Sequence, residues 1–196
     1  MRKFERLQAP DYLQANFERW SQRYAANRNN NHGHMFQWPQ INGTRLNQLL
    51  LPLLKLQTQN HCSYCDGYPL GPADKTIDHF KPKSDPRFYL DVCSWENLYV
   101  ACADCQDLKG TQYDEFLLRP DEIGYEFLTY FEYDYLLHKI NTRPNITDEQ
   151  KLRADYTRTT LGFNEPSFCK AREMSFGYFT NTPDVVLDDC SHRFIL

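Results

Sequence analysis

His61-Cys62-Ser63-Tyr64-Cys65 and Ala101-Cys102-Ala103-Asp104-Cys105-Gln106 are the two stretches on which the fold turns. Each carries a CxxC pair. Two thiolates at that spacing bite one ion, and two such pairs complete a tetrahedral four-sulfur zinc site. Disulfides are a poor explanation in a chain that begins MRKFERLQAP, with no apolar export segment. A redox CxxC would want a thioredoxin-like βαβ context, which the pattern does not offer. The gap from Cys65 to Cys102 is 36 residues, longer than the roughly 15–20 of a plain zinc ribbon. The zinc therefore closes a larger loop. Cys93, Cys169 and Cys190 have no partner spacing and read as buried thiols.

The loop holds Ile77-Asp78-His79-Phe80, then Pro82, then Trp95-Glu96-Asn97-Leu98, and the second CxxC runs on through Gln106 to Lys109-Gly110. In this order and inside one CxxC frame, the pieces resemble an HNH endonuclease, the ββα-metal nuclease fold. The resemblance implies His79 as general base and Asp78 as ligand of a catalytic Mg2+ or Mn2+. An imidazole with a pKa near 6.5 accepts a proton from water at neutral pH. A carboxylate plus a second oxygen donor holds a hard cation while leaving it open to water and phosphate. Neighbouring strand residues point to opposite faces, so Asp78 and His79 share a cleft only if the strand ends or twists there.

Asn97 matches the family's middle Asn, whose implied role is to tie the loop behind His79. The last motif position, usually His or Asn, is Gln106 here. Its extra methylene moves the donor by about a bond length. Asp104, Asp107 or water are the alternatives for that ligand. Lys109, Lys81 and Lys83 are expected to meet substrate phosphate, with Lys75 and Arg87 as further cations and Asp74 and Asp85 between them.

The flanks narrow the likeness. MRKFERLQAP, the helical lead into HCSYC, DHFKPKS and LGFN at 161–164 look like the retron- and Septu-associated anti-phage HNH effectors of the PtuB type. Short signals of that kind span nearly the whole chain. They imply a PtuA-type ATPase partner and, in retron systems, a reverse transcriptase with its multicopy single-stranded DNA. Two other classes stay open: a zinc-stabilised binding module without chemistry, and a solitary homing or restriction-type HNH enzyme. DNA or RNA, including tRNA, as substrate is equally open.

Composition agrees with a folded protein of about one domain: 196 residues, 41% hydrophobic, 24% charged. The net charge of −4 is unevenly spread. Residues 1–60 carry 8 Lys/Arg against 3 Asp/Glu, a net +5, while 111–196 carry 9 against 15. A protein that grips nucleic acid alone is usually basic overall. The N-terminal surplus suits an acidic surface, either nucleic acid or an ATPase partner, and the family likeness favours the partner. The longest apolar run, Leu49–Leu54, is interrupted by Pro52, so no membrane span and a cytoplasmic location are expected.

The expected class is α+β: a small zinc-stapled ββα-metal core at 61–116, a basic helical region at 1–60, and a strand and helix region at 117–196 with a short hairpin. Leu13, Phe17, Trp20 and Tyr24 predict one helix over 10–28, followed by a polar loop that reads as solvated, with a metal pair of His32 and His34 as the alternative. Leu46–Leu56 predicts a second helix, bent or begun at Pro52. Tyr125–Tyr133 reads as a strand with Leu136–Ile140 as its partner. Thr147 opens a capping-box helix that stops at Gly162, and a last helix runs from about Ser167 to Phe179.

Overall fold

The computed structural model describes residues 1–31, 33–71 and 77–196. His32, Asp74 and Lys75 lie outside them. The protein is mixed α+β, with three two-stranded antiparallel sheets set among helices in the described residues.

The helix expected over 10–28 is two: α1 (Asp11–Gln14) and α2 (Phe17–Asn30). Asn16 interrupts them. Its side-chain amide bonds back to the Tyr12 carbonyl at 2.9 Å, an alternative to helix continuation that short polar side chains offer. Next comes a hairpin that the leucine-and-aromatic pattern does not announce: β1 (Gln40–Ile41) and β2 (Thr44–Arg45). Its turn is Asn42-Gly43, with φ of 49° and 82°, the left-handed geometry for which Asn-Gly is suited.

Helix α3 (Leu46–Gln57) runs straight through Pro52 rather than breaking there. Leu46, Leu50 and Leu54 hold one face in the core, while Pro52 lies on the exposed side of the helix.

The centre is β3 (Ile77–His79) paired antiparallel with β4 (Leu98–Val100), Asp78 opposite Tyr99 and His79 opposite Leu98. Helix α4 (Ala103–Lys109) follows directly. Residues 1–9 lie across this unit. Arg6 donates to Asp121 at 2.6 Å and to the carbonyls of Trp95 and Leu98, and Trp95 Nε1 donates to the Leu7 carbonyl at 2.7 Å. One apolar core therefore runs from Met1 and Leu13 through Val100 to Phe168.

Beyond it, the expected strand from Tyr125 starts only at Phe131. A single turn, α5 (Phe127–Tyr130), precedes β5 (Phe131–Asp134) because Tyr130 turns inward to stack on Tyr125. The partner strand β6 is Lys139–Thr142, later than 136–140. Asp134 Oδ1 accepts from the backbone N–H of Leu136 and Leu137, which makes that segment the turn. Helix α6 (Asp148–Thr160) has the Thr147/Gln150 capping box and ends before Gly162. Helix α7 spans Pro166–Asn181. Among the described residues no helix is long and apolar enough to cross a membrane.

Candidate functional site

The sulfurs of Cys62, Cys65, Cys102 and Cys105 lie within 4.8 Å of one another. Cys65 and Cys102 sulfurs are 3.7 Å apart, close to the roughly 3.8 Å edge of a tetrahedron with 2.3 Å zinc–sulfur bonds. Cys62 and Cys65 come from the turns after α3. Cys102 caps α4 and Cys105 lies within it, so the cluster clamps the end of β4 to the first turn of the helix. Hydrogen bonds with Cys105, Cys62 and Cys65 push the Cys102 thiol down, while those with Cys102, Cys62 and Cys65 push the Cys105 thiol up. Four thiols in one pocket cannot all ionise unless a cation replaces their protons. The donor set fits a zinc ion. Cys93 and Cys190 are buried and Cys169 is half-buried, all apart from this cluster.

Strand alternation separates the two residues expected to work together. Asp78 faces α4 and the zinc side. Its Oδ2 accepts from the Tyr64 hydroxyl at 2.7 Å and lies 2.9 Å from Lys109 Nζ. His79 faces the N-terminal region. Its Nε2 sits 3.0 Å from the Val92 carbonyl, and its ring stacks on Trp38 (5.4 Å, 25°) with Phe36 edge-on at 5.2 Å. A carbonyl only accepts, so Nε2 carries the hydrogen and Nδ1 is the basic nitrogen. Burial, reinforced by the Lys83 cation, lowers the His79 pKa to about 3. What links the two residues is the Lys109 ammonium, which meets the Asp78 carboxylate and the backbone carbonyl of His79.

Asn97 is a hub behind His79. Its Oδ1 accepts from the Lys81 N–H at 2.7 Å, and its Nδ2 donates to the carbonyls of Lys81 and Asp91. Gln106 is half-buried and donates from Nε2 to the Ala101 carbonyl at 3.0 Å. Apart from the cysteines, no cluster of three acidic or His ligands exists among the described residues. The two side chains expected to share a hard cation are each engaged elsewhere: Asp78 by the Tyr64 hydroxyl and the Lys109 ammonium, and the Gln106 amide by the Ala101 carbonyl.

Lys109 is not the phosphate contact expected of it. It is fully buried, and its ammonium is consumed by Asp78 and the His79 carbonyl at 2.9 Å. The reason is helical spacing: Lys109 lies four residues after the buried Cys105 and so points the same way. That spacing, and the aromatics at 36 and 38, were the signals available for Lys109, Phe36 and Trp38. Lys81 pairs with Asp91 at 2.9 Å over the Phe88 ring, Arg87 is clamped by Asp85, and Lys83 is exposed. His34 meets Asn27 at 3.4 Å.

The chain matches no protein-family model and no curated protein.

Proposed function

We propose that this protein is a metal-dependent HNH-type endonuclease, hydrolysing phosphodiester bonds as the effector subunit of an anti-phage complex with an ATPase partner of the PtuA type. The observation that carries this reading is the four-sulfur cluster clamping an antiparallel β-hairpin to a helix, with Asp78 and His79 on its first strand. In it, the zinc would be structural, and Asp78 with Gln106 would hold a Mg2+ or Mn2+, which when bound would supply positive charge for the scissile phosphate and leaving oxygen. His79 takes a proton from the attacking water through Nδ1. The Val92 carbonyl fixes the tautomer, and Asn97 fixes the turn that follows. Phosphate anion beside the ring raises its basicity from the depressed value of the free protein.

The test is cleavage of single- and double-stranded DNA and of RNA with Mg2+ or Mn2+, comparing wild type with His79→Ala. Loss of a general base costs about 100- to 10,000-fold, with bound zinc unchanged. Equal cleavage by both proteins would overturn the assignment.

A second reading is a zinc-stapled binding module without chemistry. It is favoured by the Lys109 ammonium on Asp78, which already neutralises the expected metal ligand. Absence of cleavage under every metal and substrate, in a folded zinc-loaded protein with its ATPase present, would select it.

A further inference from the structure

We propose that the groove between α2 and the segment 34–40 binds a single-stranded nucleic acid and leads it to His79. This rests on the nuclease reading for its consequence but not for its binding chemistry. The groove encloses about 660 Å³ and is lined by Arg19, Trp20, Arg23, Asn27, Phe36 and Trp38 among others, with no carboxylate among its described lining residues. Arg19 and Arg23 are exposed and form no ion pair among the described residues; Arg19 bonds only the Asn16 amide oxygen. They are one helical turn apart, about 6 Å along the axis, so both guanidinium groups face the same edge of the groove at a separation suited to adjacent phosphates.

The other wall supplies rings. His34, Phe36 and Trp38 turn toward the protein while Met35 and Gln37 are exposed, the alternation of an extended segment. Phe36 and Trp38 of this wall, and Trp20 of α2, are half-buried and line the groove. Cations and aromatic rings lining one groove are the two devices that bind unpaired strands without reading sequence. A duplex offers no free base face to such rings, so the single strand is the fitting ligand. Phe36 and Trp38 also touch the His79 ring, which places the groove one aromatic layer from the candidate base.

Two of the eight N-terminal cations, Arg19 and Arg23, therefore have an assigned place. The acidic partner surface that the charge pattern equally suits becomes the competing occupant.

The experiment measures binding of labelled mixed-sequence single-stranded DNA, single-stranded RNA and the corresponding duplex to the zinc-loaded full chain, in buffer lacking Mg2+ and Mn2+ so that affinity is read without cleavage. Either single strand should bind more tightly than duplex and quench tryptophan fluorescence, since two of the three tryptophans line the groove. The double variant Arg19→Glu/Arg23→Glu, at exposed positions, should lose about tenfold or more in affinity and about 1.4 from the log–log salt slope. Trp20→Leu should weaken binding about fivefold while leaving that slope unchanged.

Wild-type affinity and slope in the double arginine variant would overturn the proposal and assign the groove to a protein partner. So would preferential binding of duplex. A protein that binds strands through these residues but never cuts them overturns the nuclease reading and leaves the groove standing.

Discussion

Lys109 and Asp78 form a buried ion pair, and its value lies in what happens when it is broken. Lys109→Met leaves the Asp78 carboxylate with only the Tyr64 hydroxyl in a site 9% exposed. The expected loss is about 3–5 kcal/mol of unfolding free energy in urea titration. The double variant Lys109→Met/Asp78→Asn should recover much of it, because the unpaired charge is then gone. Full additivity of the two changes would refute a working pair.

His192 gives a second prediction at the same scale. Burial, helped by the Arg172 cation, lowers its pKa from 6.5 to about 4. Between those values the unfolded chain takes up a proton that the native protein refuses. Stability contributed by the neutral ring is therefore complete above the unfolded pKa and falls as pH drops through 6.5 toward 4. The loss should be about 2 kcal/mol by pH 5. Asn tolerates the left-handed φ of 58° at this position. His192→Asn should therefore be less pH-sensitive by that amount, read from thermal midpoints at pH 7 and 5, and an unchanged pH dependence would refute it.

At the scale of elements, α4 and the turn after α6 depend on each other. Gly162 has φ of 59°, and a Cβ there would come 2.8 Å from Leu108 Cδ1 of α4. Gly43 in the β1–β2 turn has φ of 82° but open space around it. Gly162→Ala should cost more than Gly43→Ala, about 2 against about 1 kcal/mol. Comparable denaturation midpoints for the two would show that Leu108 yields freely. The zinc clamp acts on the same helix. Cys105→Ser removes one of four donors, and because structural metal supplies folding free energy directly, the variant should lose both its zinc and its cooperative melting transition. Elemental analysis of the wild type should give about one zinc per chain.

Across the whole molecule, the C-terminal segment closes on the zinc loop. Arg193 donates through Nη2 and Nε to the two oxygens of Asp66, at 2.7 and 3.1 Å, and Asp66 follows Cys65 directly. The His192 N–H adds a bond to the Asp66 carbonyl at 2.8 Å. Arg193→Met should destabilise by about 3 kcal/mol or more and also speed the release of zinc to a chelator, since it frees the loop that carries two ligands. Destabilisation without faster release would separate the latch from the metal centre.

Local spacing alone determined the four-cysteine cluster, the amphipathic face of α3 and the capping-box start of α6. Each of these follows from residues a few positions apart, where backbone geometry leaves one solution. The bonds from the Asn97 side chain to Lys81 and Asp91 join residues 6 and 16 positions apart and follow from no local spacing. Tertiary structure decided the rest. Helix α3 continues through Pro52 because that face meets water, and the strand at 125 is delayed because Tyr130 finds Tyr125. Lys109 is drawn inward to Asp78, a pairing of residues 31 apart in the chain. Phe36 and Trp38 cover His79, and Arg193 reaches Asp66 from the far end of the sequence. Local spacing turns Lys109 inward, but its partner, like those of the aromatic rings and of Arg193, is settled by how the elements pack.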